Sequence, residues 1–113
     1  MNSSDNLFFH NGTTYKCSIE FALSIIGGKW KPFILWHLRD KTLRFGELKN
    51  LLEKISHKVL TEQLRELEAD GIINRRVYTE VPLKVEYSLT EKGYTVIPIL
   101  EQISMWGAKN ASE

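Results

Sequence analysis

Residues 56–65 carry polar side chains on one face that could hydrogen-bond to the base edges of a nucleic acid. At about 100° per residue, this face lies opposite the stripe formed by Leu60, Leu64 and Leu67. Lysine and arginine donate to guanine, threonine contacts either partner, and glutamate accepts from cytosine. The candidate contact residues on this face are Lys58, Thr61, Glu62 and Arg65, and Ser56 and His57 join them because, with Lys58, they open the helix. On an isolated helix such a face is usually only solvated. Whether this face binds a nucleic acid must therefore be judged from the elements around it.

Basic residues are concentrated around this segment, although the whole chain is nearly neutral. The 113 residues carry 15 Lys+Arg against 14 Asp+Glu, a net charge of +1. Residues 29–65 hold nine basic and four acidic side chains, which gives +5, and residues 75–84 hold three and one, which gives +2. Two basic blocks favour a polyanionic partner, although solvated charged faces are the commoner cause of such blocks.

Basic side chains on the neighbouring elements are further candidates for DNA contact. Arg76 and Lys84 lie on two predicted hairpin strands, from which they would reach phosphates or the minor groove, and Arg75 is a weaker candidate. The alternative is that exposed basic strand residues only discourage edge pairing. Arg44 would meet a phosphate near the start of the third predicted helix, where free amides also favour anions. Its alternative is a local ion pair with Glu47.

The single cysteine, Cys17, is a candidate reactive thiol. It lies just before a predicted helix, where unpaired amides and the helix dipole favour the thiolate. Lys16 adds to this effect, and the charge of Glu20 opposes it. The alternative is a small apolar packing residue. One cysteine also excludes a disulfide within the chain and a CxxC zinc site, and it is consistent with a reducing cytoplasm.

The sequence contains no pattern typical of catalysis or metal binding. The three histidines, His10, His37 and His57, follow no metal-ligand spacing, and His37 is predicted to be packed within an apolar helix. Gly27-Gly28 ends a helix and is not a phosphate-binding glycine motif. No paired carboxylates or nucleophile–base arrangement indicates an enzyme. We therefore expect no metal site, no cofactor and no catalytic centre.

The hydrophobic spacing predicts the order helix, helix, short strand, helix, helix, strand, strand, helix. Helical periodicity stops at Gly27-Gly28 and at Gly71, after which apolar and polar residues alternate. Ser56 is predicted to cap the fourth helix. Two short helices joined by residues 53–56 and followed by a hairpin form a winged helix-turn-helix, a mainly α fold with a small β-hairpin.

The last predicted helix, from Thr90 through Trp106 with a kink at Pro98, has an apolar face wider than a small core needs. The alternative is that this face belongs only to the domain's own core. In a chain this small we favour a two-fold dimer interface shared with the first helix. The candidate interface residues are Ile97, Leu100, Ile103 and Trp106.

The length of 113 residues fits one domain. We expect residues 15–108 to form it, with a flexible arm over residues 1–14 and a tail over residues 109–113. The first twelve residues contain no lysine or arginine, which does not fit a secretory signal, and no window approaches 18 apolar residues. These features exclude secretion and membrane embedding and predict a cytoplasmic protein.

Seven segments of the chain match one known pattern in order, namely residues 27–30, 44–48, 55–61, 64–71, 81–82, 85–93 and 106–107. In these segments the chain resembles the HxlR-type family of bacterial winged helix-turn-helix transcriptional regulators. The resemblance covers roughly residues 17–107. It implies a dimer, DNA contact by the fourth helix, and a cysteine at the position of Cys17 that often senses oxidants or electrophiles. Ser18 departs from the proline often found there.

These features together predict a dimeric, sequence-specific DNA-binding regulator, most simply a repressor acting by occlusion on a near-palindromic operator. Two recognition helices would enter successive major grooves. Oxidation of Cys17 would give an intersubunit Cys17–Cys17 disulfide or a mixed disulfide with a small thiol. The alternative is a winged-helix module that binds protein and not DNA, which would not need the concentrated positive charge.

Overall fold

The computed structural model describes residues 7–112 and shows the predicted order of elements, with an additional hairpin before them and two helices in place of the last one. The elements are β1 (Phe8–His10), β2 (Thr13–Tyr15), α1 (Ser18–Ile26), α2 (Lys31–His37), β3 (Leu43–Arg44), α3 (Phe45–Leu52), α4 (His57–Ala69), β4 (Ile73–Tyr78), β5 (Lys84–Leu89), α5 (Glu91–Tyr94) and α6 (Ile97–Asn110). No helix within the described residues is long and apolar enough to cross a bilayer.

Helices α3 and α4 form the helix-turn-helix, and strands β4 and β5 form the wing. The Ser56 hydroxyl accepts from the Val59 amide at 3.1 Å, which caps α4 as predicted. Gly71 follows α4 with φ of +74°, a left-handed conformation that favours glycine. Strand β3 joins the wing in the antiparallel order β3-β5-β4. The predicted winged helix-turn-helix is confirmed.

Aliphatic side chains from the helices and the wing fill the core. The predicted stripe of Leu60, Leu64 and Leu67 is buried on α4. Around it pack Ile34, Leu35, Leu38, Leu43, Leu48, Leu52, Ile55, Ile72, Ile73, Tyr87, Leu89, Val96 and Leu100. Burying one such aliphatic side chain contributes about 1.5–3 kcal/mol, so the stripe holds α4 with its polar face directed outward.

Residues 8–15 form a β-hairpin, so the prediction of a flexible arm over residues 1–14 is wrong for this part of the chain. Residues 1–6 of that arm lie outside the described residues. The turn is Asn11-Gly12, whose φ angles of +51° and +77° are those of a two-residue hairpin turn. Each strand has only three residues, which is too short for alternation to reveal it.

The C-terminal part forms two helices instead of the single kinked helix predicted from Thr90 through Trp106. Helix α5 is one turn long, and Pro98 lies in the first turn of α6. Proline has no amide hydrogen to donate to the preceding turn, so the chain starts a new helix there. Helix α6 continues to Asn110, and the predicted tail over residues 109–113 is therefore wrong for its first two residues.

Candidate nucleic-acid interface

The N-terminal half of α4 carries the predicted contact residues at the surface. Thr61 is half-buried, and the exposed members of the set are Ser56, His57, Lys58, Glu62 and Arg65. The His57 ring lies against the Phe45 ring of α3 with centroids 4.6 Å apart, and the Thr61 hydroxyl donates to the His57 carbonyl at 2.8 Å. The lysine, glutamate and arginine of this set form no salt bridge within residues 7–112 and are available to a ligand.

A groove of about 520 Å³ separates α4 from the wing. Its lining residues are Phe45, His57, Thr61, Leu64, Arg65, Glu68, Arg75, Val85 and Tyr87. Arg65 of α4 and Arg75 of β4 therefore border the same space. Guanidinium groups form strong, often bidentate hydrogen bonds to phosphate. The groove is chemically suited to a phosphate backbone next to the exposed face of α4.

Strand β4 turns Arg75 toward α4. Arg75 is opposite Tyr87 of β5, which is buried, so both lie on the inner face of the wing. The sequence ranks Arg75 below Arg76 and Lys84, but the structure brings Arg75 to the groove. The alternation contained this information, because Arg75 has the same parity along the strand as the apolar Val77, whereas Arg76 has the opposite parity.

The outer face of the wing holds the other two basic candidates. The Tyr78 ring lies 5.0 Å from the guanidinium carbon of Arg76 and 4.7 Å from the ammonium of Lys84. Lys84 Nζ is also 3.5 Å from Glu86 Oε2. These contacts form a cluster on the opposite face of the strands, so the structure does not bring Arg76 or Lys84 together with α4.

Arg44 is exposed at the start of α3, as the sequence predicts. Its backbone amide donates to Glu47 Oε1 at 2.8 Å, so the glutamate caps the helix. The alternative ion pair between the Arg44 guanidinium and Glu47 is not among the salt bridges of the described residues. The guanidinium therefore stays a candidate phosphate contact.

An ion pair between a buried lysine and a half-exposed glutamate holds α4 against α2, and no sequence pattern indicates it. Lys31 is only 5% exposed, and its Nζ lies 2.6 Å from Glu66 Oε1. A buried ammonium needs a partner, so this contact constrains how α4 lies on α2. The two residues are 35 positions apart, and neither belongs to a motif that would have linked them.

Cys17 is an exposed free thiol at the N-terminus of α1, where the sequence places it. Its carbonyl accepts from the Phe21 amide at 3.0 Å, and its side chain makes no capping hydrogen bond. The packing alternative requires a buried side chain, and Cys17 is exposed. A small oxidant or electrophile can therefore reach the sulfur from solvent.

The four candidate interface residues of α6 divide between the core and the surface. Leu100 is 7% exposed and belongs to the core, so its assignment to a dimer interface is wrong. Ile97 is partly buried against the same core. Ile103 and Trp106 are 60% and 70% exposed. The reason is that α6 packs one side on α2 and leaves the other side uncovered.

The histidines are not arranged as metal ligands. Within residues 7–112, no group of three or more His, Cys, Asp and Glu side chains is placed to hold an ion. His37 is half-buried on α2, and its burial, assisted by the charge of Arg39, lowers the pKa of its imidazole. The neutral ring is therefore favoured in the fold, as expected for the packed histidine that the sequence predicts.

Comparisons with known proteins agree with this architecture. The model of the HxlR-like helix-turn-helix family matches residues 25–113. The regulatory protein MalR of Fusobacterium mortiferum is 55% identical over 97 residues, which cover 85% of this chain and 92% of that protein. YybR, an HTH-type transcriptional regulator of Bacillus subtilis (strain 168), is 52% identical over 94 residues, which cover 83% of this chain and 75% of that protein.

A solved structure is equally similar. The oxidised form of the redox regulator HypR superimposes with a TM-score of 0.82 at 50% identity, covering 86% of this chain and 100% of that chain. The reduced form of HypR gives a TM-score of 0.81 at 51% identity, covering 83% and 93%. The family model matches most of the chain, and each of these relatives also covers more than four fifths of it. The chain therefore belongs to the HxlR-like helix-turn-helix family.

Proposed function

We propose that this protein is a cytoplasmic, dimeric transcriptional regulator that binds a near-palindromic DNA operator through α4. Family membership and the HTH-type relatives support DNA binding and not the protein-interaction alternative. The observation that carries the proposal is the exposed polar face of α4 beside a groove bordered by Arg65 and Arg75. In helix-turn-helix proteins this helix meets base edges in the major groove.

The chemistry of each side chain assigns it a role in this interface. Lys58 and Arg65 would donate to guanine, and Glu62 would accept from cytosine. Arg75 would hold a phosphate beside the base pairs that α4 contacts, and Arg44 would hold one near the start of α3. Arg76 and Lys84, on the outer face of the wing, would contribute long-range attraction to the DNA.

The exposed apolar face of α6 supports a dimer. Ile103 and Trp106 are uncovered apolar side chains on one helix, as at subunit interfaces. A two-fold dimer with its α4 helices about 34–36 Å apart would contact successive major grooves of a palindromic site. An occupied site excludes other proteins from the same DNA, so repression by occlusion is the mode we propose.

Replacing an exposed donor on α4 is expected to weaken specific binding. Lys58→Ala or Arg65→Ala should cost about 1–3 kcal/mol, roughly 5- to 150-fold in Kd, because each variant loses a bidentate base contact. Arg75→Ala should weaken specific and non-specific binding alike and reduce the salt slope by about 1, because it loses a phosphate contact. Fluorescence anisotropy with an operator selected from random duplexes measures both effects.

The outer face of the wing provides matched controls for this experiment. Arg76→Ala and Lys84→Ala remove the same charge as Arg75→Ala but lie away from the groove, so their losses should be smaller. Equal losses of DNA affinity in the Arg75, Arg76 and Lys84 variants would show that the wing acts through its net charge and not through a contact in the groove. Wild-type affinity of the Lys58, Arg65 and Arg75 variants at ~0.15 M salt would contradict the interface itself.

We infer further that Cys17 makes DNA binding responsive to oxidants or electrophiles. The thiol is exposed at a helix N-terminus, and the similar protein HypR is a redox regulator solved in oxidised and reduced forms. The sequence contains one cysteine. An oxidant such as diamide would take up two hydrogens from two thiols and leave an intersubunit Cys17–Cys17 disulfide or a mixed disulfide. Either product would move α1 and change the spacing of the two α4 helices.

Diamide or a quinone is expected to change the operator affinity of the wild-type protein and not that of Cys17→Ser. The serine variant keeps the size and the helix-start position of the side chain but cannot form a disulfide or a thioether. Operator affinity is measured before and after treatment, and intact mass identifies the product. An unchanged wild type, or an equally responsive serine variant, would show that Cys17 has no sensing role.

A further inference from the structure

Three side chains from three elements form a hydrogen-bonded bridge at the C-terminal end of α4. His10 lies on β1, Ser24 on α1, and Asp70 directly after α4. His10 Nε2 is 2.9 and 2.8 Å from the two carboxylate oxygens of Asp70, and His10 Nδ1 is 2.9 Å from Ser24 Oγ. The side chains of His10 and Asp70 are 11% and 16% exposed, so the contact is shielded from water.

The donors in this bridge follow from the number of protons each group holds. Ser24 Oγ is 2.5 Å from the Phe21 carbonyl and donates its one proton to it. The Asp70 carboxylate holds no proton, so it accepts from His10 Nε2, and His10 Nδ1 lies within hydrogen-bond distance of Ser24 Oγ. A hydrogen bond to a carboxylate is about twice as strong as a neutral one, which makes His10–Asp70 the stronger half of the bridge.

The bridge joins α4 to a unit formed by the N-terminal hairpin and α1. The rings of Phe8 and Tyr15 lie 5.2 and 6.3 Å from the Phe21 ring, so both strands pack on α1. Among the described residues, His10 provides the side-chain hydrogen bonds from this hairpin to the end of α4. Lys92 Nζ of α5 also donates to the Asp70 carbonyl at 3.1 Å. The end of α4 is thus held at Asp70 through both the side chain and the backbone of this residue.

We propose that His10 is a positioning residue for DNA binding: through Asp70 it sets the orientation of α4 relative to the hairpin and α1. The Lys31–Glu66 pair already holds α4 on α2 one turn earlier. The bridge therefore adjusts the orientation of α4 and is not required for this helix to fold. Cys17 lies between β2 and α1, inside the same unit. A covalent change at Cys17 therefore reaches α4 through His10, a consequence that rests on the proposed function.

Two substitutions at His10 separate hydrogen bonding from packing. His10→Leu keeps the bulk and removes both ring nitrogens, whereas His10→Gln keeps one amide donor toward Asp70. Thr14→Ala, at an exposed position of the same hairpin, is the control. In His10→Leu, the amides of Asp70 and Ile72, which donate to the Glu66 and Leu67 carbonyls, should exchange about tenfold faster or more. His10→Gln should lie closer to the wild type.

Operator affinity of the reduced protein tests the consequence for DNA binding. His10→Leu should raise Kd about 2- to 30-fold, and His10→Gln should recover most of the loss. Adding Asp70→Ala to His10→Leu should cause little further loss, because the two residues act as one unit. With diamide, His10→Leu should still oxidise at Cys17, as intact mass shows, but its affinity should change less than that of the wild type.

The possible outcomes distinguish failure of the bridge from failure of the proposed function. Wild-type amide exchange in His10→Leu would overturn the bridge, and this measurement needs no DNA. Faster exchange with unchanged operator affinity would overturn the positioning role. Better binding by His10→Leu than by His10→Gln would assign His10 to packing. A wild-type protein that binds no selected duplex would contradict the proposed function, and the positioning role with it.

Discussion

Trp106→Glu is expected to yield a folded monomer that has lost tight operator binding. The exposed apolar residues Ile103 and Trp106 lie on α6, and Ile19 and Leu23 are exposed on α1. A glutamate without a partner in an interface between such faces costs several kcal/mol. A monomer would contact one half-site only. Loss of the second contact should weaken operator binding about 100-fold or more, as the loss of bivalency does.

Sedimentation velocity measures the assembly, and circular dichroism checks that the variant is folded. Trp106→Phe is the matched control, since it keeps an aromatic ring at the same position and should stay dimeric. Leu100→Glu would not serve, because Leu100 is buried in the core and its substitution would unfold the protomer. A wild-type protein that sediments as a monomer at micromolar concentration would remove the premise of the dimer.

The helix-turn-helix could be predicted because each of its parts leaves a local mark in the sequence. The leucines at 60, 64 and 67 repeat at helical spacing, Ser56 supplies the cap, and Gly71 supplies the left-handed residue that ends the helix. Alternation in β5 marks the wing. These features depend on neighbours within a few residues, and the polar face of α4 follows from them as the side opposite the buried stripe.

The contacts that fix α4 in place could not be predicted, because their partners are distant in sequence. His10 and Asp70 are 60 positions apart, and Lys31 and Glu66 are 35 positions apart. Nothing in the residue types distinguishes these pairs from other possible pairings of a donor with a carboxylate. Only the tertiary packing around α4 brings the two residues of each pair together.

Hydrophobic periodicity also fails to say what covers an apolar face. It assigns Leu100 and Ile103 to the same apolar face, since both follow the helical spacing of the last helix. The structure separates them, because Leu100 is buried in the core and Ile103 lies at the surface. A core residue and an interface residue have the same chemistry, so the distinction required the tertiary contacts.

Gly93 lies where the chain passes from the wing to the terminal helices, and it has no room for a side chain. A Cβ at this position would overlap the carbonyl oxygen of Ile72 and lie 3.3 Å from a methyl carbon of Leu89. The Ile72 oxygen cannot move away freely, because it accepts from the Thr90 amide at 3.1 Å. Gly93 itself donates to the Thr90 hydroxyl at 2.9 Å, which holds its own backbone in place.

Gly93→Ala is therefore expected to destabilise the protein by about 3 kcal/mol, near the upper end of overpacking effects. At roughly 4 °C per kcal/mol, this loss should lower Tm by about 10 °C or more. Gly46→Ala is the matched control, because a Cβ there meets nothing within 4 Å and its Tm should stay near the wild-type value. Differential scanning calorimetry measures both variants. Equal Tm values would mean that α5 can shift away from the wing without cost. In that case the thermal stability of the DNA-binding half would not depend on how the terminal helices are attached to it.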